Sequence, residues 1–96
     1  ATGATGVISV ASNVVPRAIR DLVDACAAKN LEKGMELHLK LLPVINALFI
    51  ETNPVPAKAA LAMLGKIKEH VRLPLAPLAD KNKDALKKAL KEFGAL

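Results

Sequence analysis

The pattern of apolar and polar positions predicts one short strand followed by four helices. Residues 6–10, GVISV, are rich in β-branched side chains and apolar on both faces, because Ile8 and Val10 would point to one side and Val7 to the other. A strand of this kind is typical of a parallel sheet that is covered on both faces. A parallel strand needs neighbours for its backbone N–H and C=O groups, and no other segment resembles a strand. The pattern therefore leaves this strand without a partner.

The first helix is predicted over residues 16–28. Ser12 and Asn13 are candidate N-caps, and Pro16 suits the first helical turn. Residues at helical spacing form an apolar stripe that should face inward: Ile19, Leu22, Val23 and Cys26. The outer side carries the spaced pairs Arg17–Asp21 and Arg20–Asp24.

A longer helix is predicted over residues 31–49, after Asn30. Its broad apolar face comprises Leu31, Met35, Leu41, Leu42, Ile45, Leu48 and Phe49. Pro43 lies inside this pattern and should kink or interrupt the helix, because proline removes one intrahelical hydrogen bond.

Two further helices are predicted in the second half of the chain. One should begin after Pro56, with Asn53 as its cap, and end at Gly65. Residues 66–78 contain two prolines and should be irregular, with Val71, Leu73, Leu75 and Leu78 laid along a surface. The last helix should run from an Asp80 cap to Phe93, carry a lysine-rich outer face with an Asp84–Lys88 pair, and end at Gly94.

Composition favours a fragment or an oligomer over a self-sufficient monomer. The 96 residues suffice for one small domain, yet 52% of them are hydrophobic. The formal net charge is +5, and eight basic residues oppose four acidic ones from Lys66 onward. With no Trp or Tyr and only two Phe, the chain has no stacking platform for bases, so nucleic acid is not expected as a partner.

Candidate catalytic groups do not converge along the sequence. His38 and His70 lack metal-ligand spacing, and Ser9 and Ser12 lack a nearby histidine or a GxSxG context, so we expect no metal or cofactor. The opening ATGATG precedes a strand, which favours a tight turn over a phosphate-binding loop. Neither a signal peptide nor a membrane span is indicated, which predicts a cytoplasmic protein without a membrane partner. The residues alone predict a βα unit joined to a small helical domain.

Three stretches resemble one enzyme family. They are GVISVASNVVPR (6–17), LHLKLLPVINALFIETNPVPAKAAL (37–61) and VRLPLAPL (71–78), followed by the closing KEFGAL. In this order they resemble the C-terminal third of dihydrodipicolinate synthase, also called 4-hydroxy-tetrahydrodipicolinate synthase. The resemblance implies an α/β fold, a (β/α)₈ barrel followed by a small helical domain. Residues 1–29 would be the eighth strand and helix, and residues 30–96 the all-helical C-terminal domain, so this chain alone would be mostly α.

The resemblance also implies an activity for the complete enzyme. Family members condense pyruvate with L-aspartate 4-semialdehyde in lysine biosynthesis through a Schiff base on a barrel lysine. The catalytic lysine and tyrosines are expected in the N-terminal remainder of the enzyme, since this chain has no tyrosine and its Lys29, Lys40 and Lys58 are helical or flank helices. One functional residue carries over: the backbone carbonyl of Ile8 would face the pyruvate site. The family also implies a homotetramer.

Three other functions stay open at this point. The chain could be a non-catalytic helical scaffold or oligomerisation fragment, or a basic module that binds an anionic surface through residues 81–91. It could also belong to a related pyruvate-dependent aldolase of the N-acetylneuraminate lyase type. For the synthase, the 96 residues alone are expected to be inactive.

Overall fold

Four α-helices account for most of the chain in the computed structural model, which describes residues 3–96. They are α1 (Pro16–Ala27), α2 (Leu31–Leu48), α3 (Val55–Met63) and α4 (Asp80–Phe93), and a short 3₁₀ helix over Ala11–Asn13 precedes them. Ala1 and Thr2, the first residues of the predicted ATGATG turn, lie outside the described residues. The prediction of a mostly helical chain is confirmed.

The predicted strand over residues 6–10 is wrong for this chain: within residues 3–96 no segment is a β-strand. A strand exists only through ladder hydrogen bonds to a neighbour, and residues 3–96 offer no second strand. The segment therefore stays irregular, and the α/β part of the predicted fold class is not seen within the chain.

The core is built around α2, which packs against α1, α3 and α4. The largest fully buried side chains come from α2, α3 and α4: Leu41, Val44, Leu48, Pro56, Leu86 and Leu90. All of these except Pro56 are aliphatic residues spaced three, four or seven positions apart on their helices, so each helix presents one stripe to the centre. Leu78, at the end of the irregular segment, is also buried there.

The structure corrects the predicted cap of α1. Ser12 and Asn13 are not N-caps, since both lie in or at the end of the 3₁₀ helix, and the N-cap position is Val15, without a side-chain cap. The predicted burial of Cys26 is wrong as well, because this side chain is exposed in the chain as it stands. Of the two predicted ion pairs, Arg20–Asp24 forms, with 2.9 Å between Nε and Oδ2.

Helix α2 runs unbroken through Pro43, which corrects the predicted interruption. The helix begins at an Asn30 cap, whose Oδ1 accepts a hydrogen bond from the Lys33 backbone N–H at 3.1 Å. Pro43 is itself exposed, and its neighbours Leu41 and Val44 are fully buried. Packing of these buried side chains keeps the helix continuous, although Pro43 has no backbone N–H to donate.

The prolines place the start of α3 two residues earlier than predicted. The N-cap is Pro54 and not Asn53, and Pro56 lies inside the first turn, where the absent N–H would have had no helical acceptor. Likewise, Asp80 is the first residue of α4 and Ala79 is its N-cap. Gly94 ends α4 as predicted, with φ of 89°, and the Ala95 N–H donates to the Leu90 carbonyl at 2.9 Å.

Helices α1 and α2 approach closely at Gly34, which supplies a stability prediction. A Cβ added at Gly34 would lie 3.2 Å from Cys26 Sγ, and no other atom lies within 4 Å apart from the chain neighbours and the backbone of the same helix. Alanine is favoured over glycine inside a helix by about 1 kcal/mol, so the sulfur contact should offset that gain in Gly34→Ala. In a Cys26→Ala background, Gly34→Ala should raise the free energy of unfolding by about 1 kcal/mol in urea titrations. No gain in that background would contradict the assignment of the contact to Sγ.

Candidate functional site

The segment that carries Ile8 is anchored to the helical body immediately after that residue. Ser12 Oγ donates to the Ser9 carbonyl at 2.6 Å, and the Ser12 backbone N–H donates to Ser9 Oγ at 3.3 Å. The Asn13 side-chain amide donates to the Val10 carbonyl at 3.1 Å. The residues predicted as helix caps thus fold back on the preceding segment and fix where it ends.

Ile8 itself contacts little of the chain. Its relative exposure is 106%, and that of Val7 is 64%. Within residues 3–96, no backbone–backbone hydrogen bond engages Val7 or Ile8. An apolar segment with free N–H and C=O groups is a surface prepared for pairing with another strand.

Glu51, in the ETNP stretch, accepts hydrogen bonds from the start of α4, which lies 28 residues farther along the chain. Glu51 Oε2 accepts hydrogen bonds from the Ala79 backbone N–H at 3.0 Å and from Asn82 Nδ2 at 2.9 Å. The first N–H groups of a helix have no acceptor of their own, so this carboxylate caps α4 from outside and lies at the positive end of its dipole. The sequence predicted Asp80 as this cap, because a sequence pattern points only to residues next to the helix and not to a residue 28 positions away.

These hydrogen bonds predict an acid-dependent contribution of Glu51 to stability. The bonds from Asn82 and then from Ala79 hold the pKa of the Glu51 carboxyl below its ordinary value. A lowered pKa in the folded state means that the stabilisation is present above the unfolded pKa of about 4.3 and is lost as the pH falls through the folded pKa. Glu51→Gln should therefore lower the melting temperature at pH 7, and the difference from wild type should shrink at pH 3.

The control for this experiment is Glu36→Gln. Glu36 pairs with Lys33 on the exposed surface of α2, with 3.1 Å between Nζ and Oε2. Exposed pairs of this kind contribute little, so its melting temperature should follow wild type at both pH values. A Glu51→Gln variant that also follows wild type would contradict the capping role.

Two lysines bind the irregular segment 66–78 to the helices, one through a hydrogen bond and one through an ion pair. Lys58 Nζ donates to the His70 carbonyl at 2.8 Å, and Lys83 Nζ lies 3.0 Å from Glu69 Oε1. Both side chains of the second pair are about one-third exposed.

Two predictions for this half of the chain are wrong. Leu73 is 91% exposed, so it does not lie along a surface together with Val71, Leu75 and Leu78 as predicted. The predicted Asp84–Lys88 pair is replaced by Lys88–Glu92 at 3.9 Å.

A shallow groove of about 300 Å³ lies at the start of α1. Among the residues that line it are Arg17, Asp21, Lys40 and Phe93, and Lys40 Nζ lies 5.4 Å from the Phe93 ring centroid. Charged groups of both signs line the groove, and the only histidines, serines and cysteine of the chain lie elsewhere. The groove therefore contains no serine or cysteine nucleophile and no histidine base.

Comparison with known proteins shows the family of the chain. The model of the "Dihydrodipicolinate synthetase family" matches residues 1–93. The chain belongs to this family. The resemblance noted in the sequence is thereby confirmed.

Relatives of the dihydrodipicolinate synthetase family are much longer than this chain. The 4-hydroxy-tetrahydrodipicolinate synthase of Trichlorobacter lovleyi is 55% identical over 93 residues, which are 97% of this chain and 32% of the relative. A solved monomeric dihydrodipicolinate synthase variant is similar with a TM-score of 0.95 and 49% identity over 98% of this chain and 31% of that protein. The chloride-inhibited dihydrodipicolinate synthase from Acinetobacter baumannii, complexed with pyruvate, has a TM-score of 0.94 and 39% identity over 98% of this chain and 32% of that one. The chain thus spans about a third of the length of the relatives it matches.

Within this dihydrodipicolinate synthetase chain, the stretches that carry the resemblance have identifiable structural tasks. Glu51 caps α4, Lys58 fastens segment 66–78, and Ser9 and Ser12 end the segment that carries Ile8. The residues that the structure describes contain no group of three or more His, Cys, Asp or Glu side chains able to hold a metal ion. None of their helices is long and apolar enough to cross a membrane.

Proposed function

We propose that the chain is the C-terminal third of a 4-hydroxy-tetrahydrodipicolinate synthase, a lyase that condenses pyruvate with L-aspartate 4-semialdehyde in lysine biosynthesis. The observation that carries the proposal is the family match over residues 1–93 at about a third of the relatives' length. The exposed, unbonded segment before the Ser9–Ser12 anchor supports it, because such a segment requires a partner strand.

In this proposal the segment around Ile8 is the eighth strand of a (β/α)₈ barrel. Residues 1–29 then form the last βα unit and residues 30–96 the helical domain, and the N-terminal remainder supplies strands one and seven as neighbours. Active sites of such barrels lie at the C-terminal ends of the strands. Ile8 lies just before the anchor that ends its segment, which suits a backbone carbonyl directed at pyruvate.

The covalent step belongs to a lysine of the N-terminal remainder. Its uncharged amine attacks the ketone carbon of pyruvate, water leaves, and the resulting Schiff base makes the methyl carbon nucleophilic toward the aldehyde. In this proposal no lysine of this chain serves the step. Two of them are engaged elsewhere: Lys58 is bonded to the His70 carbonyl, and Lys40 lies by the Phe93 ring at the helix surface. We further propose that the complete enzyme forms a homotetramer.

Reductive trapping tests this assignment. Borohydride should reduce the pyruvate Schiff base to a stable amine on one lysine of the complete enzyme, and peptide mass spectrometry should locate it outside these 96 residues. The isolated chain, treated in the same way, should keep its mass. A trapped lysine within residues 1–96 would contradict the proposal.

The substrate assignment needs its own measurement. The complete enzyme should consume L-aspartate 4-semialdehyde together with pyruvate and should not release pyruvate from N-acetylneuraminate. The reverse result would favour an aldolase of the N-acetylneuraminate lyase type. Loss of both activities with normal trapping would contradict both assignments.

A further inference from the structure

The turn that ends the segment carrying Ile8 is closed by side chains in place of a backbone hydrogen bond. In a regular 3₁₀ turn the Ser12 backbone N–H would donate to the Ser9 carbonyl. Here that N–H donates to Ser9 Oγ at 3.3 Å, and Ser12 Oγ donates to the Ser9 carbonyl at 2.6 Å. In this Ser9–Ser12 anchor the Ser9 carbonyl thus depends on a side-chain donor.

The next carbonyl along the chain does not share this dependence. The Val10 carbonyl accepts a hydrogen bond from the Asn13 side-chain amide at 3.1 Å and another from the Asn13 backbone N–H at 3.1 Å. It therefore keeps a backbone donor when the Asn13 side chain is removed. Within residues 3–96, the Ser9 carbonyl accepts only from Ser12 Oγ.

The Ser12 hydroxyl is carried by a well-packed part of the molecule. Its neighbour Ala11 is buried in the core, as is Val14 two residues farther on. The 3₁₀ helix that contains Ser12 packs against α1, α2 and α3. Because close packing holds residues 11–14 in place, the hydroxyl is a fixed point to which the Ser9 carbonyl is bonded.

The Ser9 carbonyl lies in the peptide plane directly after the one that contains the Ile8 carbonyl. The two planes meet at the Ser9 Cα, so only the φ and ψ angles of Ser9 separate them. One hydrogen bond holds the Ser9 side chain and the other holds its carbonyl. Within residues 3–96, no backbone–backbone hydrogen bond engages Ile8 itself, so the anchor is the hydrogen-bonded restraint next to its carbonyl.

We propose that Ser12 is a positioning residue that acts through Ser9 to direct the Ile8 carbonyl at pyruvate. The inference rests on the proposed function, in which that carbonyl faces the substrate. Without the hydroxyl, the backbone N–H of residue 12 can donate to the Ser9 carbonyl and close the ordinary 3₁₀ hydrogen bond, which turns the Ser9 peptide plane. The Ile8 carbonyl, one plane earlier, turns with it and binds pyruvate less well.

Two substitutions of Ser12 in the complete enzyme test the proposal. Ser12→Ala should raise the pyruvate concentration needed for half-maximal borohydride trapping by about 3–10-fold, the effect expected for the loss of one hydrogen bond. Ser12→Thr should restore the wild-type value, because a threonine hydroxyl can also donate to the carbonyl three residues earlier. The KM for L-aspartate 4-semialdehyde should stay within about twofold in both variants, since the Ile8 carbonyl faces pyruvate alone.

A control and a second variant separate positioning from folding. Asn13→Ala removes a side-chain hydrogen bond from the same turn, but the Val10 carbonyl keeps its backbone donor. Its half-maximal pyruvate concentration should therefore stay within about twofold of wild type. Ser9→Ala removes the other half of the anchor and should act as Ser12→Ala does, which provides a measurement if the melting temperature shows that Ser12→Ala is unfolded.

The possible results distinguish this inference from the proposed function. Normal trapping of the wild-type enzyme with an unchanged pyruvate dependence in Ser12→Ala and Ser9→Ala would overturn the positioning role and leave the proposed function intact. Equal rises in Ser12→Ala and Asn13→Ala, or no recovery in Ser12→Thr, would also overturn the positioning role. A wild-type enzyme that is not trapped by pyruvate and borohydride would overturn the proposed function, and this inference with it.

Discussion

Replacing Leu48 by alanine should lower the free energy of unfolding by about 3–5 kcal/mol, the range typical of a leucine whose removal leaves a cavity. Leu48 is fully buried in α2, the helix that packs against the three others. A domain of this size has a total stability of about 5–14 kcal/mol, so the variant should lose about a fifth of it or more. Urea denaturation followed by circular dichroism measures the effect.

The matched control for Leu48→Ala is Leu73→Ala. Leu73 undergoes the same loss of side-chain atoms, but its side chain is 91% exposed and buries little apolar surface. Its unfolding free energy should stay within about 0.5 kcal/mol of wild type. Similar losses in both variants would show that burial around α2 does not dominate the stability.

The second large effect concerns Ile8 in the complete enzyme. If the backbone carbonyl of Ile8 faces pyruvate, Ile8→Val should leave turnover within a few-fold of wild type, because valine keeps the backbone and the β-branch. Ile8→Pro removes the backbone N–H and restricts Val7, which should displace the segment and cost about 100-fold or more in turnover. Steady-state rates with pyruvate and L-aspartate 4-semialdehyde give both values.

Folding must be separated from positioning in this comparison. The melting temperature reports whether Ile8→Pro retains the fold, and the pyruvate concentration needed for half-maximal trapping reports binding at the site. A loss of several orders of magnitude in Ile8→Val would mean that the side chain itself contributes, which would contradict a role for the carbonyl alone. Wild-type rates in Ile8→Pro would contradict the placement of this segment beside pyruvate.

The helices were predictable because their signals are local. Pro16, Asn30 and Gly94 mark helix ends through backbone chemistry that acts within a few residues, and the structure places helix ends there. Apolar spacing likewise identified the buried residues Leu41 and Leu48. The family resemblance rested on motif order, which is also a property of the sequence alone.

Errors arose where a partner distant in sequence decides the outcome. Glu51 caps α4 across 28 residues, and no local pattern could have favoured it over Asp80. Cys26 lies on the predicted apolar stripe of α1, of which Ile19 is buried, but the part of the chain that the structure describes does not cover Cys26.

The sequence by itself determined where this protein forms helices, which residues can fill its core and which family it belongs to. The tertiary structure alone decided which surfaces stay open: residues 6–10 lack the ladder of a strand, and Leu31, Met35 and Leu39 of α2 face solvent. The physical reason is that helices satisfy their backbone within one segment, whereas strands and apolar faces are completed only by what packs against them.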